Sequence, residues 1–157
     1  MEKFNGLKLL VSVIVILALG SAGGLVTAPQ IKTWYVLLQK PVFNPPNYLF
    51  APVWTFLYLS MGVSFYLLWN SKKSNYKQYA ISAFVIQFIL NIAWSFIFFY
   101  LHQVGWALAE ILMMWLFILL TIVYAFKVKK WAAWLLIPYL AWVSFATILN
   151  AAIYILN

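Results

Sequence analysis

The chain has no cysteine, no arginine, one histidine and only two acidic residues among its 157. Without cysteine there can be no disulfide and no thiolate metal ligand. The two carboxylates, Glu2 and Glu110, lie far apart and offer no pair for general acid–base chemistry. His102 stands alone, so no metal-ligating cluster can be assembled around it. Neither a glycine-rich phosphate loop nor a nucleophile elbow appears. These absences point away from an enzyme, and they call for no metal and no obligatory cofactor. Charge is scarce as well: 8% of residues are charged and 67% are hydrophobic, where a soluble domain averages about 25% charged. A surface this apolar belongs in a bilayer.

The few charges are almost all lysine, giving a net charge of +8. They sit in small clusters between apolar blocks, which suits a membrane surface and not a continuous basic stripe for nucleic acid. Uncharged runs of 23, 31, 32, 16 and 27 residues follow Lys8, Lys40, Lys77, Glu110 and Lys130. A spanning helix needs roughly 20 apolar residues, so five are expected, at about 7–28, 51–70, 79–100, 105–126 and 131–154. His102-Gln103 followed by Gly105 is the natural hairpin between the third and fourth. Backbone groups must be paired in lipid, which makes the fold class an all-α membrane protein, one domain over 1–157 built as a five-helix bundle. The first span reads as a retained helix and not a cleaved signal peptide, because its apolar character continues through Leu25 and Val26. Eight lysines fall at the amino terminus, at 71–78 and at 127–130, against Lys32 and Lys40 on the other side. The amino terminus is therefore expected in the cytoplasm and the carboxyl terminus outside.

Between the first two spans lies a 29–50 loop rich in aromatics and proline. Pro29, Pro41, Pro45, Pro46 and Pro52 are five of the six prolines in the chain. They rule out a regular helix and lower the entropy lost on ordering the segment, so it reads as a lid over the outer end of the bundle.

Several polar and aromatic residues share helical faces. Gln87, Asn91 and Trp94 or Ser95 recur on the third helix, and amides on one face should turn away from lipid. Asn91 fits either helix–helix bonding or ligand contact; Gln87 fits bonding between helices. Pro138, Trp142, Ala146 and Asn150 lie four apart on the fifth helix, with Pro138 expected to bend it. Trp54 and Tyr58 lie four apart on the second. Trp69, Trp106, Trp131 and Trp134 fall at helix ends, where interfacial belts form. Gly20 and Gly24 have the spacing that permits close helix approach. Glu110 reads either as an interfacial carboxylate or as a proton relay. Together the inward residues suggest an aromatic cavity for a large, flat, mostly apolar ligand.

Three blocks carry a resemblance to a known family. The first comprises Trp34-Tyr35, Leu38-Gln39-Lys40-Pro41, Asn44-Pro45-Pro46 and Ala51-Pro52-Val53-Trp54-Thr55-Phe56-Leu57-Tyr58. The second is Leu90-Asn91-Ile92-Ala93-Trp94 with Phe98-Phe99, and the third is Pro138-Tyr139-Leu140-Ala141-Trp142 with Phe145-Ala146-Thr147 and Leu149-Asn150. In order across nearly the whole chain, they resemble the translocator protein family, also called TspO/MBR, peripheral benzodiazepine receptor or tryptophan-rich sensory protein. The resemblance implies a five-helix bundle, commonly a homodimer in a cell membrane of bacterial type. It implies a pocket for porphyrins such as protoporphyrin IX and for isoquinoline or benzodiazepine ligands, with tetrapyrrole transport as an extension. By motif position its pocket residues are Tyr35, Pro45, Pro46, Trp54, Asn91, Trp142 and Ala146, to which the helical faces add Tyr58 and Trp94. Phe43 stands where the family usually has tryptophan before Asn-Pro-Pro, which leaves a smaller stacking surface in the lid. A tail pattern proposed for cholesterol is broken here, since no basic residue follows Tyr154, and this counts against sterol binding. Two other readings stay open: light-dependent porphyrin breakdown using buried tryptophan, and a small proton-coupled carrier centred on Glu110.

Overall fold

A computed structural model describes residues 3–157, so Glu2 lies outside the described residues. Within them every regular element is helical. Helix α1 spans Gly6–Lys32, α2 Phe50–Trp69, α3 Asn75–Ser95 and α4 Val104–Val128. A short α5, Lys130–Trp134, leads into α6, Ile137–Leu156. Counting α5 and α6 as one span, five segments are long and apolar enough to cross a membrane, and helices with fully internal backbone pairing are the form such a chain must take there.

Local chemistry sets the ends of these helices. Asn5 caps α1 by accepting from the Lys8 amide at 3.0 Å, and Ser74 caps α3 by accepting from the Lys77 amide at 3.2 Å. The sequence predicts that α1 stops before Pro29, but the helix runs on to Lys32. Proline removes a single amide bond, and in the last turn its cost is offset when the residues beyond it pack. Ile31 and Trp34 do so, against Tyr35, Phe98 and Phe99. At its far end α3 widens into a π-turn over Phe96–Tyr100, closed by the Leu101 amide on the Phe96 carbonyl at 3.0 Å. His102 then takes a left-handed backbone, φ 56°, and the chain reverses into α4 where the hairpin is expected.

The fifth span is broken where one continuous helix is expected. The break falls at Leu135–Leu136, and Pro138 sits in the first turn of α6, where its missing N–H leaves no partner unsatisfied. Two serines of α2 satisfy the carbonyls freed by the break. Ser64 Oγ donates to the Ala132 carbonyl at 2.8 Å, and Ser60 Oγ donates to that of Leu135 at 2.6 Å.

The core runs through the middle of the bundle. Leu57 and Met61 of α2, Phe84 of α3, Ile111 and Ile118 of α4, and Tyr139 of α6 are all buried in it. Helices α1 and α2 pack closely at Gly62, where an added Cβ would lie 2.7 Å from the Val13 Cα. In lipid, such contact between small residues replaces the hydrophobic drive that packs helices in water. Gly62→Ala is therefore expected to push α1 off α2 and to destabilise the protein by about 1–3 kcal/mol. Thermal unfolding in detergent measures this, and an unchanged melting temperature would refute the close approach.

Candidate functional site: a lidded aromatic cavity

The chain between α1 and α2 folds across one end of the bundle with two short 3-10 turns, Tyr35–Leu37 and Asn47–Leu49. Lys40 organises it: its ammonium donates to the Tyr35 carbonyl at 2.7 Å and the Leu38 carbonyl at 2.9 Å, and lies 4.8 Å from the centre of the Tyr35 ring. Tyr35 is buried, and its hydroxyl donates to Asn44 Oδ1 at 2.7 Å. Trp34 stacks on His102, ring centres 4.2 Å apart, tying the lid to the α3–α4 hairpin. At its other edge the Asn157 side chain grips Gln39 from both sides. Its Oδ1 accepts from the Gln39 amide at 2.9 Å and its Nδ2 donates to the Gln39 carbonyl at 3.0 Å.

Beneath this lid lies a cavity of about 340 Å³, within the range of small-molecule sites. Every one of the five spans contributes. Trp54 and Tyr58 come from α2, Asn91 and Trp94 from α3, Ile111 and Met114 from α4, Trp142 and Ala146 from α6. Helix α1 offers its small-residue face, and Tyr35 closes the roof.

The floor is a directed chain of hydrogen bonds. Tyr58 donates its hydroxyl to Asn91 Oδ1 at 3.0 Å, Asn91 Nδ2 donates to the Tyr139 hydroxyl at 3.2 Å, and Tyr139 donates onward to Gln87 Oε1 at 2.9 Å. Asn91 keeps a second N–H and the Tyr58 oxygen keeps its lone pairs, so the floor offers both donor and acceptor capacity. Trp94 spends its indole N–H on Asn150 Oδ1 at 3.1 Å, and Asn150 Nδ2 in turn donates to the Val104 carbonyl at 3.0 Å. The Trp94 ring remains a wall, stacked on Phe98. Trp54 lies against Tyr58 and Tyr139, and Trp142 against Phe50 and Phe145.

Of the residues singled out from sequence, Tyr35, Trp54, Tyr58, Asn91, Trp94, Trp142 and Ala146 line the cavity. Phe43, Pro45 and Pro46 do not border it. Phe43 closes edge-on against Phe145, ring centres 6.3 Å apart, and Pro45-Pro46 leads into Asn47, which does line the cavity. Gln87 bonds between helices, as its position suggests. Sequence reasoning missed Ile111 and Met114. Helix α4 is apolar on nearly every side, so no face stands out; the recurrence of Ala107, Ile111, Met114 and Ile118 was the available signal. It also missed Tyr139 as the centre of the polar floor. One turn before Met114, both carboxyl oxygens of Glu110 are buried with no hydrogen-bond partner among the described residues.

Fold and cavity together define an integral, multi-pass membrane protein with an internal chamber of ligand size. Comparison with known proteins makes this specific: the chain belongs to the TspO/MBR family, which matches residues 12–156. It is 42% identical over 153 residues to the tryptophan-rich protein TspO of Archaeoglobus fulgidus, covering 98% of this chain and 99% of that protein. It is 40% identical over 124 residues to the human translocator protein, covering 77% of this chain and 73% of that one. To the tryptophan-rich sensory protein of Cereibacter sphaeroides it is 35% identical over 117 residues, 74% of this chain and 72% of its relative.

Two outcomes follow from the floor and the roof. Tyr139→Phe removes the hydroxyl that Asn91 and Gln87 share, and is expected to destabilise the protein by about 1–3 kcal/mol; a melting curve superimposable on the native one would contradict the relay. Burial pushes the Tyr35 phenol from 10.0 up to about 12. The unfolded chain releases this proton near 10.0, so the phenol's contribution to the closed lid is complete below that pH and is lost as pH rises toward about 12. The tyrosinate absorbance difference between the native protein and Tyr35→Phe is expected to develop near pH 12, and a midpoint at the ordinary value would show an open roof.

Proposed function

We propose that the protein is a membrane receptor or sensor that takes a flat, largely apolar tetrapyrrole such as protoporphyrin IX into the lidded cavity. Compounds of isoquinoline or benzodiazepine type fit the same space, and carriage of tetrapyrroles extends the same role. The observation that carries this reading is the pairing of ring walls with a sparse polar floor. Trp54 and Trp142 border the cavity, and neither indole N–H has a hydrogen-bond partner among the described residues, while Tyr58 and Asn91 supply the polar contacts below. Stacking surfaces with few polar groups suit a large conjugated ring. The lysine distribution supports an amino terminus in the cytoplasm and the lid outside; the family resemblance adds a place in a cell membrane and assembly as a homodimer. Light-driven breakdown of bound porphyrin by Trp54 and Trp142 would show as bleaching of the pigment under illumination. The buried, unpartnered carboxyl of Glu110 favours one second reading, a proton-coupled carrier, which pH-dependent flux in vesicles would distinguish.

Protoporphyrin IX titrated into the protein in lipid is expected to quench tryptophan fluorescence strongly. Replacing Trp54 and Trp142 together by Phe should remove most of that quenching and weaken binding by about 0.5–1.5 kcal/mol per lost contact. Replacing Trp106 and Trp131, which are 73% and 70% exposed, should change affinity little. The reverse pattern would move the ligand to the outer surface of the bundle.

A further inference from the structure

Helices α1 and α2, which hold the lid between them, meet closely at one end and part toward the other. Three glycines measure the divergence. A Cβ on Gly62 would lie 2.7 Å from the Val13 backbone, and one on Gly20 would lie 2.5 Å from the Tyr58 ring. One turn nearer the lid, a Cβ on Gly24 would meet nothing within 4 Å. Gly24 nevertheless borders the cavity, as do Ser21 and Ala28 on the same helix and Ala51 and Thr55 on α2. All five are also exposed. Small, exposed residues that border the chamber on two neighbouring helices mark the place where it can open. The spacings 21, 24, 28 and 51, 55 each hold to one helical face, and every side chain there is small. Thr55 already donates its hydroxyl to the Ala51 carbonyl at 2.8 Å, so it adds no unpaired donor. Because both helices cross the bilayer, the opening faces hydrocarbon.

The roof offers no comparable route. To lift it, the Trp34–His102 stack, the packing of Tyr35 on Phe98 and Phe99, the Phe43–Phe145 contact and the two-point Asn157–Gln39 clasp must all break. An apolar ring also concentrates in the bilayer before it reaches the protein.

We infer that the slot between α1 and α2 is a lateral portal through which flat apolar molecules pass between the bilayer and the cavity while the lid stays shut. The inference rests on the reading that the cavity takes such a ligand, and its test separates the two. Gly24→Phe adds a ring at the position where a Cβ meets nothing within 4 Å. In proteoliposomes it is expected to slow both association and release of protoporphyrin IX by about ten-fold or more. Asn157→Ala, which loosens the lid, is expected to leave both rates unchanged. If Gly24→Phe leaves the rates alone and Asn157→Ala raises them, exchange runs through the lid and the portal is wrong. If affinity falls without a matching fall in both rates, residue 24 is only part of the wall, and the portal is equally wrong. Should protoporphyrin IX bind neither protein, the ligand reading fails and phospholipids brominated on their acyl chains decide the portal. They are expected to quench tryptophan fluorescence more in the native protein than in Gly24→Phe, with the difference abolished when Trp54 and Trp142 are both Phe. Equal quenching would overturn the portal. Gly24→Leu serves the same comparison if the Phe variant does not fold.

Discussion

The hydroxyl of Tyr139 is the point from which the interior of this protein is organised. It accepts from Asn91 and donates to Gln87, and through Asn91 it reaches Tyr58. Three helices, α2, α3 and α6, are thereby joined by side chains in the middle of a bilayer-spanning bundle. No water competes for these groups in hydrocarbon, and each would be costly to leave unpaired. The network therefore fixes the rotation of each helix as well as its neighbours. Once Asn91 and Tyr139 face each other, Trp54, Trp94 and Trp142 are carried to the cavity by helical geometry.

The same rule governs the irregular parts of the backbone. The break between α5 and α6 is tolerated because Ser60 and Ser64 supply the missing donors. The lid holds its turns because Lys40 and Asn157 bond its carbonyls and the Gln39 amide. Close packing does the rest. Gly20 and Gly62 let α1 and α2 touch, while a Cβ on Gly24 would meet no neighbour. The chamber between them thus has a floor and a roof each held by side-chain hydrogen bonds.

Much of this was legible in the residues alone. Apolar runs between sparse lysines are enough to define five spans, because a bilayer imposes a length and forbids charge within it. Trp54, Asn91, Trp142 and Ala146 could be turned inward from their spacing, since amides and paired aromatics on one helical face are poor neighbours for lipid. Only the tertiary structure decided the rest. Helix α4 is apolar on nearly all sides, so nothing local marks Ile111 and Met114 as cavity residues; their neighbours do. Pro29 and Pro138 look alike as helix breakers, yet one is carried inside α1 by packing beyond it while the other begins α6, because the partners of the freed carbonyls come from elsewhere in the chain. Tyr139 could have faced lipid or core by composition. It became the hub because Asn91 and Gln87, about fifty residues earlier in the chain, present their amides to it, and such a long-range pairing of donors and acceptors has no local signature.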